Sequence, residues 1–236
     1  MKKERPPFAC SLNKSERILG AFLLPVHMLA LPLLIGMLGD YWPTQISAAK
    51  LNTLYYFVTF LLILLLMRRG LRQDWDRLCD FKLPCVLLLV PTHLLCLALS
   101  LVVALITVLM PESISALYNE APPELLTISG KGVFAAFVLL APIVDETLFR
   151  GLVFGSLREK SRALAYIVSI VLYLIYCVWQ YAVLNPNISI LFYALQELPA
   201  AFVLAWCYER SGTLWTPILY HAIYNFVPVI MSATAS

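Results

Sequence analysis

Charge is what this sequence has least of. Asp, Glu, Lys and Arg make up 13% of the 236 residues, where soluble domains carry about a quarter. Histidine occurs three times and no CxxC pair is present, which argues against a structural zinc module. The net charge is only +3 and no basic stretch is interleaved with aromatics, so nucleic acid is not an expected partner. Internal repeats and low-complexity tails are absent too. What fills the chain instead is apolar: 61% hydrophobic residues and a mean hydropathy of +0.82. A soluble protein of this length lacks the polar residues to cover its core. Lipid is the alternative solvent, in which a helix satisfies its own backbone and crosses with about 20 apolar residues.

Seven apolar stretches stand out, at 18–38, 51–67, 83–110, 130–157, 163–184, 188–207 and 213–232. Turn and breaker signals separate several of them: Gly39-Asp40-Tyr41-Trp42-Pro43, Ala121-Pro122-Pro123, Asn185-Pro186-Asn187 and Ser211-Gly212. The fold expected is an all-α, polytopic transmembrane helix bundle with about seven spans. Lys and Arg in the tails and connections run 5-1-5-1-3-0-1-0. By the positive-inside rule this places the N-terminus in the cytoplasm and the C-terminus outside. The first stretch is longer than a signal-peptide core and reads as an uncleaved span. The six cysteines avoid the predicted outer loops, so no structural disulfide is expected.

Sixteen of the seventeen basic residues lie outside the spans; Arg150 is the exception, in the fourth stretch with Asp145 and Glu146. Each charge at the centre of a lone span costs about 2.5–3.5 kcal/mol on insertion scales, so these groups must face the bundle interior. Glu146 and Arg150 are spaced i,i+4 and share a helix face. On the seventh stretch, His221 and Asn225 have the same spacing and similar depth. Two polar stripes can thus meet in one hydrated hollow. Blander readings stand beside this one. Glu146–Arg150 can be a purely structural ion pair, His221 and Asn225 interhelical hydrogen-bond glue, and Glu197 a structural second partner for Arg150. His27 and His93, alone on apolar helices, read as packing or interfacial residues.

The segment Asp145-Glu146-Thr147-Leu148-Phe149-Arg150-Gly151, followed by His221-Ala222-Ile223-Tyr224-Asn225, resembles the CPBP family of intramembrane endopeptidases. That family includes the CAAX prenyl proteases and the bacteriocin-processing or self-immunity Abi group. Tyr208-Glu209-Arg210-Ser211-Gly212-Thr213-Leu214-Trp215-Thr216-Pro217-Ile218, which leads into His221, looks like the family's entry to its last motif. The resemblance covers roughly 130–230, dividing the chain into N-terminal helices at 1–129 and a CPBP-like core at 130–232.

The resemblance implies EExxxR, FxxxH and HxxxN motifs, in which the first Glu and the middle His activate a water and the last His and Asn stabilise the oxyanion. Carried over, Asp145 takes the first Glu position, Glu146 the second, Arg150 the Arg, and His221 with Asn225 the final motif. The middle motif best matches Tyr176-Cys177-Val178-Trp179-Gln180, with Gln180 where the His is expected; Phe192-Tyr193-Ala194-Leu195-Gln196 also ends in Gln. Both departures fall on the water-activating pair. Asp is one methylene shorter than Glu, and a carboxamide cannot take up or release a proton.

Some family members are described as metal-dependent, but the donor set here argues against a catalytic zinc, and no cofactor is expected. Two functions remain open. One is an endopeptidase acting on a membrane-embedded or lipidated peptide, with Asp145 as base and Arg150 fixing the acidic pair. The other is a degenerate member that binds a peptide or membrane protein as regulator, chaperone or bacteriocin immunity factor. A bacterial plasma membrane is the expected location, with lipid as an obligate partner.

Overall fold

The computed structural model of the protein describes residues 8–41, 46–109, 134–184 and 189–235. Among them every regular element is helical. Rod α1 joins Lys14–Pro25, the π-helical turn Val26–Ala30, and Leu31–Tyr41. Then come α2 (Ala48–Leu66), α3 (Arg68–Asp80) and α4 (Lys82–Val108). Rod α5 is assembled from Ala136–Leu140, Ala141–Asp145, Glu146–Phe154 and Gly155–Arg158. The last three are α6 (Arg162–Leu184), α7 (Ser189–Ser211) and α8 (Trp215–Ala235).

Within the described residues each of the seven apolar stretches is a helical rod, and the chain is an all-α polytopic membrane bundle. Five rods are long and apolar enough to cross a bilayer by length and composition alone. The other two long rods, α5 and α8, carry the polar stripes. Leu61, Leu65, Leu87, Val90, Leu101 and Val108 point outward and would meet lipid.

Two expectations need correcting. Gly39, Asp40 and Tyr41 belong to the end of α1 rather than to a turn; Trp42 and Pro43 lie outside the described residues, as do Ala121-Pro122-Pro123 and Asn185-Pro186-Asn187. The basic connection after α2 is itself a helix, α3. Its buried residues Gly70, Leu71 and Asp74 form one stripe, and its arginines take the remaining faces. Met67, at φ −124° and ψ 16°, breaks the chain between α2 and α3.

Helix α3 is fastened across one end of the bundle. Glu16 Oε1 accepts hydrogen bonds of 3.0 Å from the backbone N–H groups of Arg69 and Gly70, a negative charge set on a helix N-terminus. Asp74 accepts from the Ser11 hydroxyl at 2.9 Å and from the Leu214 N–H at 3.2 Å. The Trp215 indole donates to the Leu71 carbonyl at 3.1 Å, while its ring meets Trp75 edge-on. Ser211 ends α7 and Gly212 opens the turn before α8, at φ 70°, a backbone conformation that glycine adopts without strain.

Rod α5 is the hub of the bundle: α1, α2, α6, α7 and α8 all pack on it. Every residue from Glu146 to Phe154 is buried as a result. This is where a membrane protein can keep charges, because no lipid reaches them.

Candidate active site

The charged turn of α5 is wound as a π-helix, with widened i→i+5 hydrogen bonding, a geometry often found at functional sites. Glu146 and Arg150 lie within this turn and are both fully buried. The Arg150 guanidinium uses one arm (NH1) to reach Glu146 Oε1 at 3.2 Å and the other (NH2) to reach the Ala201 carbonyl on α7 at 3.0 Å. Its flat face lies 4.3 Å from the centre of the Tyr173 ring, a cation–π contact. Arg150 therefore ties α5 to both α6 and α7. Its second partner is the Ala201 carbonyl, one turn beyond Glu197.

His221 arrives from α8. Its Nδ1 lies 2.8 Å from the same Glu146 Oε1, so one carboxylate oxygen joins Arg150 and His221. That contact fixes the imidazole plane and turns the other ring nitrogen away from Glu146. Asn225, one turn further along α8, donates from Nδ2 to the Phe137 carbonyl at 3.0 Å. Phe137 sits in the first π-helical turn of α5, just before Pro142.

Asp145 is 4% exposed, and its neighbour is His27, whose Nε2 lies 3.7 Å from Asp145 Oδ1. Neither Asp145 Oδ1 nor Glu146 Oε2 accepts a hydrogen bond from any described residue. Each side of the site thus presents one buried carboxylate oxygen with spare acceptor capacity.

Gln180 does not join this group. It is exposed on α6, one turn beyond Tyr176. Within the same motif it is Tyr176 that points inward: its hydroxyl lies 2.9 Å from that of Tyr56 and 3.2 Å from that of Tyr55. The Tyr176 ring stands 5.0 Å from the His27 ring.

His27 is the residue that sequence reasoning set aside. It lies 118 positions before Asp145 on an apolar helix, with no motif around it. Only the fold brings it to α5. Pro25, which immediately precedes the π-turn Val26–Ala30, and Pro32, just after it, are the local signals of an irregular backbone there. His93, by contrast, remains apart, with its Nδ1 3.3 Å from the Tyr220 hydroxyl.

The donor set does not suit a metal. Among the described residues no three His, Cys, Asp or Glu side chains converge, and the acids here divide into an Asp145–His27 pair and a Glu146–His221 pair. Catalytic zinc takes three protein ligands at one point.

Residues 129–227 match the model of Rce1-like type II CAAX prenyl endopeptidases. A Bacillus subtilis (strain 168) protein named "Putative membrane peptidase YdiL" is 28% identical over 94 residues, 39% of this chain and 34% of the relative. The match thus spans about a third of that relative's length. No solved structure matches the chain. The Asp145–Arg150 and His221–Asn225 motifs, the all-helical bundle that joins them and the two matches make residues 129–227 similar to the Rce1-like endopeptidases of the CPBP family.

Proposed function

We propose that the chain is an intramembrane endopeptidase that hydrolyses a peptide bond in a membrane-embedded or lipidated peptide. The observation that carries this reading is the meeting of α5 and α8 at Glu146 Oε1, 2.8 Å from His221 and 3.2 Å from Arg150, beside the unpartnered carboxylate oxygen of Asp145. The CPBP-like core at 130–232 would carry the chemistry and the helices at 1–129 would enclose it.

In the reaction, Asp145 draws a proton from a bound water while the water oxygen attacks the scissile carbonyl carbon. Negative charge then develops on the former carbonyl oxygen. His221, held by Glu146 through Nδ1, turns its other ring nitrogen to that oxygen as a hydrogen-bond donor. Arg150 holds Glu146 in place. As the C–N bond breaks, the proton taken from water passes to the leaving amine. The products are a new carboxylate and an amine, with no cofactor consumed.

The test is cleavage by the detergent-purified chain of two fluorogenic substrates, a prenylated CAAX peptide and an unmodified transmembrane peptide. Cleavage that falls about 10²–10⁴-fold in both Asp145→Asn and His221→Ala supports the proposal. Wild-type silence on both peptides, with either one still bound, would favour the degenerate binding role instead. Regulators, chaperones and immunity factors belong to that second outcome.

A further inference from the structure

Peptide hydrolysis needs a group that accepts a proton from water and returns it to the amine. Gln180 cannot do this, and it is exposed on α6. The structure holds another imidazole where such a group is needed. His27 is fully buried on the π-turn of α1, and its Nε2 is 3.7 Å from Asp145 Oδ1.

The hydrogen bonds around His27 assign its tautomer. The Tyr55 hydroxyl has one hydrogen, and the His27 backbone carbonyl, 3.0 Å away, takes it. The Thr59 hydroxyl likewise donates to the Tyr55 carbonyl at 3.0 Å. Toward the ring both oxygens can then only accept. The Tyr55 oxygen lies 2.9 Å from Nδ1 and 3.0 Å from Nε2 and does not separate the two nitrogens, whereas the Thr59 oxygen, 3.3 Å from Nδ1, accepts from that atom alone and places the hydrogen there. Nε2 is left with its lone pair, close to a carboxylate oxygen that has no donor of its own. Two acceptors at this separation repel unless something donates to both. A water about 2.8 Å from each atom satisfies that geometry, giving one hydrogen to Nε2 and the other to Oδ1.

We propose that His27 is a catalytic residue: its Nε2 and Asp145 Oδ1 together hold the attacking water, and the imidazole takes the proton and delivers it to the leaving amine. The inference rests on the endopeptidase reading and revises one step of it: Asp145 orients the water, and the imidazole, in place of the carboxylate, takes its proton. In the step, the water O–H bond breaks toward Nε2 while the new C–O bond forms. The imidazolium sits beside the Asp145 carboxylate, which stabilises it. Breakage of the C–N bond then returns the proton to nitrogen and restores neutral His27. The titratable groups that face the ring are Asp145 on α5, Tyr55 and Tyr56 on α2, and Tyr176 on α6.

The experiment compares wild type, His27→Gln and His27→Ala on the same two fluorogenic peptides across pH, with thermal unfolding in detergent as a check on folding. His27→Gln keeps a polar side chain of similar reach but no proton-transfer group. The expected result is a loss of about 10²–10⁴-fold in kcat in a folded His27→Gln protein. The acid limb of its kcat/KM profile should move, and added imidazole should partly rescue His27→Ala. A folded His27→Gln enzyme with wild-type rate and profile overturns the inference and leaves the endopeptidase standing. If His27→Gln does not fold, imidazole rescue of His27→Ala decides the matter: no rescue overturns the inference. Wild-type silence on both peptides overturns both.

Discussion

Arg150 has no exposed surface, so its partners decide what its charge does to the bundle. One arm holds Glu146 and the other a backbone carbonyl on α7, and the ring of Tyr173 covers its face. Removing one member of such a pair strands the other, a loss of about 3–5 kcal/mol in buried pairs. Arg150→Met should therefore lower stability by about that amount, read by denaturant titration in detergent. The double variant Glu146→Gln/Arg150→Met should recover much of it, because no carboxylate is then left bare. Equal losses in the single and double variants would show that the pair is not coupled.

At this scale the sequence was informative wherever two polar residues shared a helix face. Glu146 and Arg150 announced each other by an i,i+4 spacing, and so did His221 and Asn225 as a stripe. His27 and Asp145 have no such relation. Their contact is made by α1 packing on α5, which spacing along one helix cannot reveal.

At the scale of the element, the π-turns do the positioning. Val26–Ala30 follows Pro25 and precedes Pro32, two residues without an N–H, and it closes with the Leu31 N–H on the Val26 carbonyl. Winding that turn back to an α-helix would rotate His27 by a large fraction of a turn relative to the rest of α1. Pro25→Ala restores the missing donor. The expected outcome is at least a tenfold fall in peptide cleavage with no fall in unfolding temperature. Full activity in this variant would show that the proline is not what sets His27.

Helix α3 carries a second prediction. Burial pushes the Asp74 carboxyl up from 3.8 to about 6, against the opposing pull of the Ser11 and Leu214 hydrogen bonds and of Arg77. The folded chain therefore binds this proton more tightly than the unfolded chain. The stability Asp74 contributes is fully present below about pH 4 and is lost as pH rises through about 6. In thermal unfolding between pH 4.5 and 7.5, Asp74→Asn should flatten this part of the wild-type decline. An unchanged pH dependence would remove Asp74 from the account. The helix itself was hidden in the sequence because its four arginines read as a charged connection; its buried stripe is only Gly70, Leu71 and Asp74.

For the whole molecule, the apolar runs made the rods legible because lipid forces each span to satisfy its own backbone. The order in which rods pack was not legible, since α5 became the hub through contacts between distant parts of the chain. One collective feature did carry through. The N-terminal segment, α3, the α5–α6 turn and the α7–α8 turn lie together at one end of the bundle. Arg17 bonds Glu159 at 2.6 Å, Arg77 reaches the carbonyls of Ala9 and Gly212, and Arg158 and Arg162 share Glu209. These are the segments in which the Lys and Arg residues concentrate. We propose that this end faces the cytoplasm, as basic flanks do. Cys79 on α3 is exposed there, and the remaining cysteines are buried or half-buried. A membrane-impermeant maleimide should thus leave Cys79 unmodified in intact cells and modify it after permeabilisation, with Cys79→Ser abolishing the signal. Modification in intact cells would invert the bundle and put the α3 end outside.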